Sequence, residues 1–127
     1  MTDRDDGPAP LAGQGQTCPD PRTIAIAELN DRFRRTLKGG RVMMTSGVSA
    51  LGAEALVRLV ARVQRFDNFG PDNDPYGEHD FGAFDDAGDR FFWKIDSYDP
   101  TLCFGSEDPA DPAQTTRVLT LMLADEY

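Results

Sequence analysis

The sequence predicts an α+β domain, with two helices packed on one face of a small, mostly antiparallel sheet of about four strands. Three observations lead there. Two segments carry apolar residues at helical spacing. An aromatic, partly alternating pair of segments flanks a tight Asp-Gly turn. The connections between segments are short and rich in Pro, Gly and Asp, as in a compact layered domain.

Residues 1–21 contain four prolines and three glycines with few large apolar groups, so a disordered acidic, Pro-rich tail is expected there. Residues 22–127 are then a single domain. A first helix is predicted from about Thr23, as N-cap, to Leu37. Its apolar stripe is Ile26, Leu29, Phe33 and Leu37, and Arg32, Arg34, Arg35 and Lys38 lie opposite. Gly39 and Gly40 end it. Arg41–Thr45 reads as a short strand. Ser49 then caps a second helix to about Phe66, striped by Leu51, Ala55, Leu56, Leu59, Val60 and Val63. Phe69–Gly77 reads as a loop. His79–Phe84 and Arg90–Tyr98 read as a hairpin around Asp85–Asp89. In Thr115–Ala124 the β-branched content and missing polar stripe favour a strand, while Leu and Met leave a helix open.

The 127 residues suffice for one domain with its own core. Apolar residues are 39% and charged residues 28%, as in soluble globular proteins. No apolar run approaches a membrane span, and the acidic N-terminus lacks the apolar region of a signal peptide. A cytoplasmic protein with reduced Cys18 and Cys103 is expected. The net charge of −9 excludes a general nucleic-acid binder, which needs a basic footprint. That charge is uneven. Residues 22–65 are net +6, and residues 67–111 are net −11 with thirteen acidic residues against Arg90 and Lys94.

The strings NDPYGEHDFGAF (73–84), FFWKID (91–96), GSEDPADP (105–112) and TRVLTLMLADEY (116–127) occur in this order. Over about residues 24–127 the chain resembles an uncharacterised bacterial family, domain of unknown function 3768. Ser97 and Cys103 depart from the expected pattern. The resemblance implies an accessory protein carried on plasmids and other mobile elements of alphaproteobacteria, and it implies no catalytic residue or cofactor.

Several residues are candidates for chemistry. His79, the only histidine, stands between Glu78 and Asp80 and would serve proton transfer or metal binding. In an alternating strand, however, Glu78 and Asp80 face away from it. A zinc site without a second His or a nearby Cys would be unusual, so no metal is expected. Asp72–Gly77 starts like a calcium loop, yet Tyr76 and Ala83 occupy positions that need oxygen ligands. No phosphate loop, nucleotide fingerprint or nucleophile elbow is present, so no cofactor is expected. Arg58, Arg62 and Arg65 form a basic ridge on the second helix. It could be a solvated face, or could dock an anion or the chain's own acidic loops.

Asp85, Asp86 and Asp89 cluster at the predicted hairpin turn, and Asp99, Glu107, Asp108 and Asp111 on the next loop. They serve solubility, or they copy a phosphate array and occupy a basic groove on another protein, as anti-defence proteins of mobile elements do. The sequence thus supports a small non-catalytic interaction protein binding a basic protein, such as a nucleic-acid enzyme. Its alternative is a small enzyme or metal-binding domain centred on His79, with Glu78, Asp80 and the 72–77 loop contributing oxygens. That alternative requires His79 to lie in a concave pocket beside at least two carboxylates. A homodimer through an apolar C-terminal edge strand is a third expectation.

Overall fold

The computed structural model describes residues 20–127. The expectations for residues 1–19, Cys18 included, lie outside the described residues. Asp20 and Pro21 do not belong to a tail. Asp20 is the N-cap of helix α1 (Pro21–Thr36), its carboxylate accepting from the Arg22 amide at 3.0 Å. Asp-Pro is a strong start signal, because Pro at the first helical position is preset for the helix.

The buried face of α1 is Ile26, Ala27, Asn30, Phe33 and Arg34, rotated from the expected stripe. Arg34 is therefore buried, not solvated on the outer face. Leu37 closes the helix in a left-handed conformation.

Strand β1 spans Gly40–Met44. The expected second helix is two helices: a single turn, α2 (Ser46–Ser49), and α3 (Ala53–Gln64). Gly52 separates them. Its φ of +96° leaves the helical region, and it occupies the N-cap of α3, the role expected of Ser49. Leu59 and Val63 are the buried residues of α3.

Strands β2 (Phe81–Asp86) and β3 (Asp89–Tyr98) form an antiparallel hairpin. Ala87 and Gly88, both at positive φ, make the two-residue turn whose twist matches the strands. The C-terminal segment is a strand, β4 (Thr116–Leu123), bounded by short 3₁₀ turns at Pro112–Gln114 and Ala124–Glu126.

The sheet order is β1-β4-β3-β2. β1 and β4 run parallel, and the other two pairings are antiparallel. The domain is α+β with a mixed, mostly antiparallel four-stranded sheet. β4 is interior and hydrogen-bonded on both sides, so it cannot supply the edge for strand pairing with a second copy. No helix among the described residues is long and apolar enough to cross a membrane.

Register places Phe91, Trp93 and Ile95 of β3 beside Leu123, Leu121 and Leu119 of β4, on one face of the sheet. The core joins most of these to Phe33 of α1, Val48 of α2, and Leu59 and Val63 of α3. Glu126 locks the C-terminus onto this layer. Its carboxylate accepts from the Thr45 hydroxyl at 2.5 Å and the Gly47 amide at 2.9 Å. Those bonds hold the Glu126 carboxyl below its usual range.

Trp93 is fully buried against Gly82, where an added Cβ would lie 2.4 Å from the indole nitrogen. Gly82→Ala is expected to lower stability by about 1–3 kcal/mol, since overpacking a filled core forces neighbours to shift. Urea denaturation followed by Trp93 fluorescence checks this; an unchanged midpoint contradicts the packing.

Candidate functional site

A cavity of about 720 Å³ opens between α1 and the loop 69–79. Asp20, Glu28 and Asp31 line it from the helix, with Phe69, Asp74, Tyr76 and His79 from the loop. The loop is built on local hydrogen bonds. The Asp74 amide donates to the Gly70 carbonyl at 2.7 Å, and the Asn73 side chain accepts from the Gly70 amide at 2.8 Å. Buried Asn30 of α1 holds the far end by donating to the Glu78 carbonyl at 2.8 Å.

His79 has φ +55°, an uncommon backbone conformation outside glycine. It is not part of a strand, since β2 begins at Phe81. Strand alternation therefore does not govern residues 78–80, and it is not what keeps Glu78 and Asp80 apart from His79. Its partners come from elsewhere. Nδ1 lies 3.0 Å from both Asp31 carboxylate oxygens, and the ring stacks on Phe69 at 4.0 Å and 3°. Nε2 lies 3.8 Å from Asp74, whose carboxylate also accepts from the His79 amide. The sole histidine thus sits in a concave pocket beside two carboxylates, Asp31 and Asp74.

Neither Glu78 nor Asp80 pairs with His79 among the described residues. Burial pushes both carboxyls above their usual range; repulsion from Asp80 and Asp74 adds to it at Glu78, and repulsion from Asp74 and Asp96 at Asp80.

Behind Asp31 stands Arg34, fully buried. It donates to Asp31 at 2.9 Å and to the Val63 and Gln64 carbonyls at 2.9 and 3.2 Å. Its guanidinium lies over the Trp93 and Phe69 rings at 5.2 and 5.5 Å. Desolvation lowers its pKa, and the Asp31 carboxylate opposes that. Arg34–Asp31–His79–Asp74 is one connected chain from core to cavity.

The acidic surface expected at the hairpin is largely engaged within the chain. Asp86 accepts from Arg58 Nη2 at 2.7 Å and from Arg62 at 3.3 Å, which holds its carboxyl below the usual range. Asp85 pairs with Arg90 at 3.2 Å, and Asp108 with Arg22 at 3.3 Å. Asp99 holds its own turn, accepting from the Thr101 hydroxyl and the Cys103 amide. Asp111 caps the 3₁₀ turn at Pro112–Gln114. Asp89 and Glu107 are exposed and form no ion pair among the described residues.

Arg62 also packs over Phe84 at 4.7 Å. Arg65 shares a cleft with Arg62, Phe66 and Asp85, and makes no ion pair among the described residues. The basic ridge therefore docks, through two of its three members, on the chain's own hairpin turn. Cys103 is a free, exposed thiol. No group of three or more His, Cys, Asp and Glu residues among those described could hold a metal ion.

Residues 44–126 match the family model described as "Protein of unknown function (DUF3768)". The chain belongs to this family. No curated protein and no solved structure matches it. The DUF3768 match covers the loop 69–79 but starts beyond α1, so the cavity's helical wall lies outside the matched segment.

Asp31 and Arg34 complete this site, and nothing in the sequence pattern assigns them to it, whereas Asp74 lies in the 72–77 loop expected to contribute oxygens beside His79. Arg34 follows Asn30 by four residues and Ala27 by seven, a spacing that signals the buried face. Asp31→Asn leaves Arg34 buried with only carbonyl partners, and is expected to lower stability by about 2 kcal/mol or more, read in thermal or urea unfolding. The raised Asp80 carboxyl gives the opposite sign. Folding favours its neutral form, so its contribution worsens as pH rises from the unfolded value of 3.8 through the higher folded one. Asp80→Asn is therefore expected to raise the melting temperature at pH 7 and to change it little at pH 3. A gain that persists at pH 3 contradicts the electrostatic cause.

Proposed function

We propose that this protein is a small, non-catalytic interaction module whose acidic cavity receives a cationic group presented by a basic protein partner. One observation carries the reading: four carboxylates, Asp20, Glu28, Asp31 and Asp74, ring a cleft whose walls include Phe69 and exposed Tyr76. Carboxylates beside aromatic faces suit a guanidinium or ammonium group, which gains both charge pairing and cation–π contact. The hairpin aspartates support this role less, since Asp86 and Asp85 both have arginine partners, whereas among the described residues only Asp31 of the four cavity carboxylates has one, Arg34. We also read the helices as covering one face of the sheet, supported by the shared core of Phe33, Leu59, Val63, Trp93 and Leu121. A mobile-element accessory role, with a cytoplasmic nucleic-acid enzyme as the basic partner, rests on the sequence resemblance alone.

A second reading has its own support. Asp31 on Nδ1 orients the His79 ring as a carboxylate orients a general base. The cavity lining offers hydroxyls at Thr23 and Tyr76 but no serine, cysteine or lysine. Proton transfer would therefore have to act directly on a bound molecule or through water.

Fluorescence anisotropy with a labelled nona-arginine peptide, at low and high salt, tests the first reading. The combined change Glu28→Gln and Tyr76→Ala alters only exposed side chains. It is expected to weaken binding about tenfold, or ~1.4 kcal/mol. The hairpin triple change Asp85→Asn, Asp86→Asn and Asp89→Asn is expected to leave binding within about twofold (~0.4 kcal/mol). The reverse pattern, or binding indifferent to salt, contradicts the cavity as the contact.

A further inference from the structure

The structure holds two buried arginines, and only one has a carboxylate partner. Arg34 is answered by Asp31. Arg117 is 5% exposed and lies on the same face of β4 as Leu119 and Leu121. Its Nε donates to the Asn30 side chain at 2.6 Å, and Nη2 donates to the Pro109 carbonyl. Nη1 has no hydrogen-bond partner among the described residues, and no carboxylate lies within ion-pair distance of the guanidinium there. Desolvation alone accounts for its lowered pKa, with no acidic group contributing. Nη1 retains contact with solvent, so this guanidinium presents a free donor with no counter-charge beside it.

Arg117 lines a cavity of about 210 Å³ between the C-terminal end of α1 and the start of β4. Arg32 and Lys38 of α1 line the same cavity, and both are exposed with no ion pair among the described residues. Three cationic residues line one small cavity in a chain of net charge −9. The helix C-terminus also favours cations there, so some of the positive charge is already stabilised by the α1 dipole. That term reaches the exposed Arg32 and Lys38 but does not replace a hydrogen-bonding counter-ion for Arg117.

We propose that this cavity is a binding site for a small, multiply charged oxyanion of the phosphate class, with Arg117 as its buried anchor and Arg32 and Lys38 at its mouth. A guanidinium is the side chain suited to phosphate oxygens, and three cations match a dianion better than a single carboxylate. The site is opposite in sign to the acidic cavity and shares no lining residue with it. Asn30 joins the two, since it accepts from Arg117 and donates to the loop 69–79 at Glu78.

Thermal unfolding at constant ionic strength, with inorganic phosphate, acetate or chloride, tests the assignment. Phosphate is expected to raise the melting temperature in a saturable way, beyond acetate and chloride. Arg32→Ala with Lys38→Ala, both exposed, is expected to leave the chloride melting temperature nearly unchanged and to weaken the phosphate response at least fivefold in apparent affinity. Isothermal titration with Arg117→Lys, which keeps the charge but loses the fork, is expected to show at least a tenfold loss. Equal stabilisation by acetate overturns the phosphate class. A phosphate response that survives the double change marks an adventitious ion only and overturns the site.

Discussion

Arg34 is fully buried, and its charge has to be answered from within the fold. The answer ties four parts of the molecule together. Asp31 lies one turn back on α1, the Val63 and Gln64 carbonyls end α3, Trp93 stands in the middle of the sheet, and Phe69 opens the long loop. The guanidinium satisfies the Gln64 carbonyl at the last turn of α3 and shares the Val63 carbonyl with the Phe66 amide. It also fixes Asp31, and Asp31 fixes His79. The cavity's shape thus depends on an interaction in the core. A site supported in this way is rigid at its base, while Tyr76 and Glu28 at its rim remain exposed.

Charge is organised differently from a simple acidic end and basic end. The acidic hairpin turn folds against Arg58 and Arg62, so part of the −11 of residues 67–111 is neutralised by part of the +6 of residues 22–65. Of the other charged residues, two sets line cavities of opposite sign, both walled by α1. The acidic one takes its helical carboxylates from the formally basic segment, and the basic one takes Arg117 from beyond the acidic segment. Exposed pairs such as Arg58–Asp86 contribute little to stability, but they remove those aspartates from the free surface. For that reason the concave groups carry more recognition potential than the turn.

The element order was legible because each segment had a clear period and clear punctuation. Asp85–Asp89 marked the hairpin, and the β-branched run at 116–123 proved to be the interior strand. The break at Gly52 was not legible, because the apolar stripe of residues 51–63 runs through it and only a backbone angle separates the helices. The buried face of α1 was misplaced because Leu29 and Leu37 outweighed Asn30 and Arg34 in an apolar count, although the latter pair shares the inner face. His79 was legible as a residue of interest. Asp74 was legible too, as part of the 72–77 loop, but Asp31 was not, because it is 48 positions away on α1. Arg117 was hidden in the same way, as one cation inside an otherwise apolar strand.

Recognition, as proposed, is concave and sits between α1 and the loop 69–79. Its most direct test is a residue-resolved amide NMR titration with arginine amide, a small cation that can enter the cleft. The account predicts saturable shifts confined to residues such as Ile24, Ala27, Asp31, Gly70, Gly77 and His79, with the hairpin turn at Ala87–Gly88 unmoved. Shifts that gather at residues 85–90 instead, or that grow linearly without a localised set, contradict it.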